Sequence, residues 1–220
     1  MTPVRLLLTS CGLSNNTLVE ALRDLLGKPF AEANVVVLPT ATVAEPGDHG
    51  WMLDDLARLR ALGWNELSLL ALNGLPDAVV AGRLARADVV YATGGNHYHL
   101  ARSLSPELFD LVAEKVWVGA SAGSMIFSRA LNAHSAAVMG DLADLHALGE
   151  QDVTSPFARF DWYLKPHLHS PDFPDRDDAW AKNLEATAGF PLYLLDDDSA
   201  VRVRGDEVDV VSEGVWQHHR

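Results

Sequence analysis

Five apolar segments, each followed by a stretch compatible with a helix, restrict the fold of this chain more than any other feature. The segments are residues 4–10, 34–38, 67–72, 88–93 and 116–118. Strands that are apolar along their whole length are buried on both faces, which is typical of a parallel sheet covered by helices. Right-handed crossovers then give a doubly wound arrangement. We therefore predict an α/β fold with a doubly wound, mostly parallel sheet and helices on both faces.

Helices between these strands are indicated by apolar residues at helical spacing and by capping residues. They are predicted from Asn16 or Thr17 to residue 26, at 51–62 and 77–86, around Leu100 and Leu104, at 106–115 and at 124–131. The ligand site of such a sheet lies outside the carboxyl ends of its strands. Cys11, Gly94–Asn96 and Ser121 all follow strand ends and are expected to share one cleft.

The pattern loosens after residue 131. Residues 132–156 show no clear period and are interpreted as an irregular excursion, a candidate mobile flap. Further elements are predicted as a strand-like run within 160–168, a helix at 176–187, a strand at 191–195, and a terminal hairpin formed by 201–204 and 208–211.

Length and composition predict one soluble domain covering residues 1–220. Apolar residues make up 48% of the chain and charged residues 21%, which is ordinary for a globular protein. No apolar run approaches the roughly 20 residues that span a bilayer. The opening sequence lacks the features of a signal peptide, so a cytoplasmic location is expected.

The net charge of −13 comes from 17 basic and 30 acidic residues and argues against nucleic acids and anionic membranes as partners. Cys11 is the single cysteine, which excludes intramolecular disulfides and zinc sites built from cysteines. No cofactor and no metal ion are predicted. The sequence leaves open whether the chain forms a homodimer.

Residues 116–125 carry the clearest chemical motif. An apolar strand ends in Gly-Ala-Ser-Ala-Gly, and a helix-compatible stretch follows at once. Gly119 and Gly123 would let the backbone bend sharply and let strand and helix approach each other. Ser121 is then held at the strand tip, where a nucleophile that attacks a carbonyl is favoured. The alternative interpretation is an ordinary turn in which Ser121 only caps the helix.

A nucleophilic serine needs a base, and the base needs a third group that orients it. His167 ends a strand-like run and follows a proline, so it is the favoured base. His169 is two residues further on and would face the same way in an extended chain. The acid is expected within residues 196–198, three adjacent aspartates that directly follow the strand at 191–195. Backbone N–H groups at Ala122 and at Gly94-Gly95 could bind an oxyanion.

With these residues the chain resembles the peptidase E and cyanophycinase family of serine peptidases, whose fold is related to that of class I glutamine amidotransferases. The matching motifs are Leu-Leu-Leu-Thr-Ser at residues 6–10, Tyr-Ala-Thr-Gly-Gly-Asn-His-Tyr-His-Leu at 91–100, Gly-Ala-Ser-Ala-Gly at 119–123, Lys-Pro-His at 165–167 and Leu-Asp-Asp-Asp-Ser-Ala at 195–200.

The resemblance implies a serine, a histidine and an acid in that chain order. It assigns Ser121 as nucleophile, His167 as general base and later acid, and Asp197 as the orienting carboxylate. Oxyanion donors would be Gly95 and Ala122, and the predicted substrate-binding residues are Asn96 and Arg176. Peptidase E has glutamate as its third member, where this chain has aspartate.

The activity implied is hydrolysis of dipeptides or short peptides through an acyl-enzyme, with an arginine at the position of Arg176 holding an N-terminal aspartate side chain. Three other functions are compatible with parts of the sequence. One is a non-catalytic member of the fold that binds a small metabolite. Another is a metal hydrolase that uses His97, His99, His167 and an aspartate. The last is an α/β-hydrolase, whose Ser–Asp–His order would require His218 or His219.

Overall fold

The computed structural model describes residues 4–220 and contains ten strands in that range. They are β1 (Arg5–Thr9), β2 (Asn34–Leu38), β3 (Glu66–Leu69), β4 (Val89–Ala92), β5 (Val116–Ala120), β6 (Tyr163–Lys165), β7 (Leu192–Leu195), β8 (Ser199–Arg204), β9 (Glu207–Ser212) and β10 (Trp216–His219).

The α-helices of the described residues alternate with these strands in the first half of the chain. They are α1 (Asn16–Leu26), α2 (Gly50–Ala61), α3 (Asp77–Arg86), α4 (His97–Arg102), α5 (Pro106–Val112), α6 (Ala122–Met125), α7 (Ala133–Met139), α8 (Leu142–Ala147) and α9 (Asp178–Thr187). None of the helices in residues 4–220 is long and apolar enough to cross a bilayer.

The main sheet has seven strands in the order β3-β2-β4-β5-β1-β8-β9. Its first five strands are parallel, and β8 and β9 continue the sheet as an antiparallel hairpin. Apolar side chains form one buried cluster on each face of this sheet. The predicted α/β fold, with a mostly parallel sheet covered on both faces, is therefore confirmed.

The register of β1 brings the site together. Thr9 pairs with Ala120 of β5 on one side and with Ala200 of β8 on the other. Ser10, one residue further on, therefore lies beside Ser121 and donates its backbone N–H to the carbonyl of Ser199 at 3.1 Å. Three segments distant in sequence thus meet at the carboxyl edge of the sheet.

The expectation of an irregular flap at residues 132–156 is wrong. The segment contains α7 and α8, and Ala136, Met139 and Leu145 are buried in the core. Asn132 and Ser135 form a reciprocal capping box at the start of α7, and Gly140 ends that helix in the left-handed conformation. Helices of seven and six residues are too short to produce a visible apolar period, which explains the error.

Three further details differ from the predictions. The side chain that caps α1 is that of Asn15, which accepts the N–H of Leu18. The helix expected at 124–131 is limited to α6, four residues long. Strand β10 was not predicted; it pairs with β7 in a second sheet of order β10-β7-β6, and its sequence Trp-Gln-His-His lacks the apolar run of the other strands.

Candidate active site

Ser121 occupies a sharp turn between β5 and α6. Its backbone has φ 48° and ψ −106°, a conformation that is rare and strained for any residue with a side chain. The backbone N–H of Ser121 donates to the carbonyl of Thr9 at 3.1 Å, so the end of β1 holds the turn in place. Strain of this kind is typical of a nucleophile exposed at the tip of a strand.

Two glycines make this turn sterically feasible. A Cβ atom on Gly119 would lie 2.4 Å from backbone atoms of Gly123. One on Gly123 would lie 2.3 Å from the carbonyl oxygen of Ala92 in β4. Both distances are far below van der Waals contact, so α6 can approach β4 and β5 only because these side chains are absent.

We expect Gly123→Ala to destabilise the protein by about 3 kcal/mol, because its methyl group overlaps backbone that cannot move independently. Gly82 provides the matched control, since it lies within α3 and a methyl group added there would have no neighbouring atom within 4 Å. Gly82→Ala should stabilise by about 0.5–1 kcal/mol through helix propensity. Urea unfolding measures both. Equal stabilities for the two variants would contradict the close approach of α6 and β4.

His167 follows β6 and faces both of its predicted partners. Its Nε2 atom is 2.9 Å from the Ser121 hydroxyl, and its Nδ1 atom is 2.6 Å from Oδ1 of Asp197. The ring of Phe173 stacks on the imidazole with a centroid distance of 4.5 Å and an interplanar angle of 15°. The structure thus forms a continuous hydrogen-bonded series from serine through histidine to aspartate.

The structure brings His167, not His169, to the serine. Both residues have left-handed backbone, with φ 67° and 58°, so the chain turns here instead of running extended. His169 consequently points away and contacts Asp178 at 2.8 Å near the surface. The expectation that both histidines face the same way was wrong because it assumed a strand at this point.

The three adjacent aspartates have separate partners. Asp197 bonds to His167 and also accepts the hydroxyl of Ser10 at 3.2 Å. Asp196 closes the β7–β8 turn by accepting the N–H of Asp198 and the Ser199 hydroxyl. Asp198 accepts the side-chain amide of Asn15 at 3.2 Å. Only one of the three carboxylates therefore contacts the histidine.

Hydrogen bonding keeps Asp197 ionised. Partial burial alone would raise the pKa of this carboxyl group, but the hydrogen bond from His167, the nearby Ser170 hydroxyl, the charge of His167 and the hydrogen bond from Ser10 together outweigh it and lower the pKa. A carboxylate that remains charged is suited to hold the Nδ1 proton of the imidazole and to stabilise an imidazolium.

The predicted oxyanion donors lie beside the serine. A Cβ atom on Gly94 would be 3.5 Å from Cβ of Ser121, so the turn after β4 packs directly against it. Gly95 has φ 122° and a Cβ atom there would meet the Ala41 backbone at 2.5 Å, which restricts this position to glycine. Within residues 4–220, the N–H groups of Gly95 and Ala122 donate no hydrogen bond. Gly95 lines the cavity, whereas Ala122 is buried beside Ser121, and the binding of an oxyanion by these two N–H groups stays a prediction.

A cavity of about 740 Å³ opens above these groups. Ser121, His167 and Gly95 line it, and its size is that of pockets for small molecules. Seven acidic and three basic side chains also line the cavity, the basic ones being Arg58, Lys165 and Arg176. Lys165 pairs with Asp141 at 2.5 Å and Arg58 with Asp55 at 3.6 Å. Outside these two pairs, five acidic side chains and one basic side chain, Arg176, line the cavity, so acidic groups outnumber basic ones in its wall.

The two predicted substrate-binding residues differ in their availability. Arg176 lines the cavity, but it also donates to the carbonyl of Pro166 at 3.0 Å and stacks on Phe173 with its guanidinium carbon 4.0 Å from the ring centroid. Asn96 is 2% exposed. Its amide donates to the carbonyl of Asp144 and its oxygen caps α4 through His99, both at 2.9 Å. Its contact with substrate stays a prediction.

One residue that contacts the site was missed in the sequence. Ser10 is fully buried, and its hydroxyl accepts the backbone N–H of His167 at 2.8 Å while lying 3.2 Å from Asp197. Two sequence signals include Ser10: its position directly after β1, at the edge where the ligand site was expected, and its place at the end of the Leu-Leu-Leu-Thr-Ser motif. Both indicate a location, and neither identifies partners 157 and 187 residues away.

The other candidate groups take no part in the series from Ser121 to Asp197. His97 lines the cavity, and burial lowers its pKa to about 4. His218 stacks on Tyr193 in the second sheet and does not line the cavity. The part of the chain from residue 4 to 220 holds no group of three or more His, Cys, Asp or Glu side chains arranged for a metal ion. Cys11 lines the cavity, but burial raises its pKa to about 11, which keeps the thiol protonated at neutral pH.

A parallel sheet with a strained serine at its carboxyl edge, bonded to a histidine and through it to an aspartate, has the architecture of the α/β hydrolytic enzymes that use a serine. A model of peptidase family S51 matches residues 6–211, and the chain belongs to this family. The resemblance read from the sequence motifs is thereby confirmed.

Solved structures agree on the fold. The chain is similar to a candidate peptidase E protein from Listeria monocytogenes EGD-e, with TM-score 0.73 and 22% identity over 96% of this chain and 100% of that one. It is also similar to a peptidase from an acI-B1 Actinobacterium, with TM-score 0.65 and 20% identity over 98% and 93% of the respective chains. The comparison with curated proteins found no match.

Proposed function

We propose that this member of family S51 is a serine peptidase that hydrolyses dipeptides or other short peptides through an acyl-enzyme on Ser121. The observation that carries the proposal is the hydrogen-bonded series Ser121–His167–Asp197, with distances of 2.9 and 2.6 Å. A serine hydroxyl in contact with a base that is itself oriented by a carboxylate is the arrangement that nucleophilic catalysis requires.

In the proposed mechanism, Oγ of Ser121 attacks the carbonyl carbon of the peptide while Nε2 of His167 takes the hydroxyl proton. Asp197 holds the proton on Nδ1 and stabilises the imidazolium. The N–H groups of Gly95 and Ala122 bind the oxyanion of the tetrahedral intermediate. When the C–N bond breaks, His167 gives its proton to the departing amine. Water then attacks the acyl-enzyme with His167 again as base, releasing the acid and restoring Ser121.

Substrate size follows from the cavity. A volume of about 740 Å³ suits a ligand of a few residues that is largely enclosed, and Ser121 lies in its wall. Short peptides are therefore the proposed substrate class.

Helix α6 has only four residues. The local N–H groups, and not a long helix dipole, would therefore supply the stabilisation of the oxyanion.

The charge of the cavity bears on the N-terminal residue of the substrate. Burial lowers the pKa of Arg176, while the negative charges of Asp141 and Asp144 oppose this shift, so the guanidinium already has acidic neighbours. Together with the excess of acidic lining groups, this disfavours a further carboxylate. We propose that a neutral N-terminal residue is preferred and that the aspartate preference implied by the resemblance does not apply here.

A dipeptide panel tests this proposal. We expect kcat/KM for Ala-Leu to exceed that for Asp-Leu by about fivefold, since one like charge in a partly solvated cavity costs about 1 kcal/mol. Arg176→Gln should lower both values by a similar factor, because Arg176 supports the segment that carries His167. A preference for Asp-Leu that disappears selectively in Arg176→Gln would contradict the proposal and assign Arg176 as the residue that recognises the acidic side chain.

A further inference from the structure

The carboxyl end of β1 contacts all three segments of the proposed catalytic series. The carbonyl of Thr9 accepts the N–H of Ser121 at 3.1 Å and the hydroxyl of Ser124 at 2.8 Å, which holds the serine turn. The next residue, Ser10, contacts His167 and Asp197. One dipeptide therefore joins segments that reach the site from three separate parts of the chain.

The bonds of Ser10 are mutually compatible. Its hydroxyl oxygen accepts the backbone N–H of His167 at 2.8 Å, and its single proton is then directed to Oδ1 of Asp197 at 3.2 Å. The same Oδ1 atom lies 2.6 Å from Nδ1 of His167. The three residues thus form a closed ring in which the hydroxyl fixes the distance between the histidine backbone and the carboxylate.

His167 needs this support because its backbone is strained. Its φ of 67° lies in the left-handed region, which is unfavourable for a residue with a Cβ atom. Besides the contact with Ser10, the following residue, Leu168, donates its N–H to the carbonyl of Leu195 at 2.9 Å. Loss of the Ser10 acceptor would leave the N–H of His167 without a partner and the strained backbone free to relax.

We infer that Ser10 is a positioning residue that aligns His167 and Asp197 so that Nε2 faces the Ser121 hydroxyl. This inference rests on the proposed function. Ser10 is fully buried and acts through the histidine and the acid. Misplacement of a catalytic base by about 1 Å costs on the order of a hundredfold in rate, which sets the scale of the effect.

The experiment compares Ser10→Ala, Ser10→Cys and Ser10→Thr with Ser199→Ala. Ser199 is an apt control because its hydroxyl is also buried at this edge and bonds to a carboxylate, that of Asp196 at 2.5 Å, without touching the catalytic series. Ser10→Thr keeps the hydroxyl, and Ser10→Cys keeps the volume with a weaker hydrogen-bonding group.

We expect Ser10→Ala to lower kcat on Ala-Leu by about 30- to 100-fold with KM changed by less than about twofold. Ser10→Cys should fall between Ser10→Ala and wild type, and Ser10→Thr should recover kcat to within about threefold. Ser199→Ala should lose stability and retain kcat. The proton between Nδ1 of His167 and Asp197 should give a far-downfield ¹H NMR signal in wild type and Ser10→Thr, and this signal should broaden or vanish in Ser10→Ala.

Several results would overturn the inference. The first is a folded Ser10→Ala or Ser10→Cys variant with wild-type kcat. The second is a downfield NMR signal that is unchanged in Ser10→Ala or in Ser10→Cys. The third is a folded Ser10→Thr variant whose kcat is as low as that of Ser10→Ala. Failure of the proposed function has a different signature. In that case wild type hydrolyses no peptide of the panel, and the NMR comparison still decides whether Ser10 orders the histidine and the aspartate.

Discussion

Replacing Ser121 by alanine should lower kcat for dipeptide hydrolysis by on the order of 10⁵- to 10⁶-fold. The variant loses the oxygen that forms the acyl-enzyme, and water at the same position lacks both the covalent step and the alignment with Nε2 of His167. The expected residual rate reflects the oxyanion donors and substrate binding alone. The measurement is product formation from Ala-Leu under single-turnover and steady-state conditions.

A fluorophosphonate probe provides an independent readout of the same residue. Wild type should be labelled once, at Ser121, and Ser121→Ala should not be labelled. Hydrolysis at the wild-type rate by a purified Ser121→Ala variant would exclude the acyl-enzyme mechanism. Labelling that persists in this variant would show that another serine is the reactive one.

A comparison of Ser121→Ala with Ser121→Gly tests the strain at the turn. Alanine keeps a Cβ atom at φ 48° and so keeps the backbone penalty, whereas glycine removes it. We expect the glycine variant to be more stable than the alanine variant by about 1 kcal/mol, and both to be inactive. A glycine variant that is the less stable of the two would show that the turn is not strained by the side chain.

Asp197→Asn is expected to have the second largest effect, a loss of about 10⁴-fold in kcat. An amide presents a donor as readily as an acceptor to Nδ1, so it no longer enforces the tautomer in which Nε2 can take the serine proton. It also carries no charge to stabilise the imidazolium. Because the side chains have the same shape, substrate binding should change little and the loss should appear in kcat.

The adjacent aspartates are matched controls for Asp197. Asp196→Asn should lower the free energy of unfolding by about 1 kcal/mol, because its carboxylate accepts the hydroxyl of Ser199 and the N–H groups of Asp198 and Val215. Asp198→Asn should alter neither stability nor activity appreciably. Both should retain kcat. Equal losses in all three variants would mean that the turn as a whole, and not one carboxylate, supports catalysis.

The pH dependence of stability provides a further check on Asp197. Its pKa in the folded protein is lowered, so its ionised form contributes stability that is fully present above its unfolded value of about 3.9. This contribution is lost as the pH falls through the folded pKa. The stability difference between wild type and Asp197→Asn should therefore shrink below pH 4. A difference independent of pH would contradict the shift.

Prediction from sequence succeeded where a local signal was present. Helix α3 has the predicted bounds, and the strands of the parallel sheet are found as apolar runs, because burial on both faces leaves a continuous trace in the sequence. The edge strand β3 carries a weaker signal: the structure restricts it to Glu66–Leu69, with Leu69 52% exposed. Helices α7 and α8 and strand β10 were missed because their stability comes from packing and pairing with distant segments.

By itself the sequence determined the α/β fold, the tight turn around Ser121 and the short list of residues from which a base and an acid could come, because periodicity, glycine spacing and order along the chain are local properties. Only the tertiary structure decided which members of that list meet. His167 contacts Ser121, which is 46 residues away in sequence, and Asp197, which is 30 residues away. Ser10, near the start of the chain, accepts the backbone N–H of His167. These contacts depend on the register of β1 with β5 and β8 and on left-handed backbone at His167, and neither leaves a pattern in the neighbouring residues.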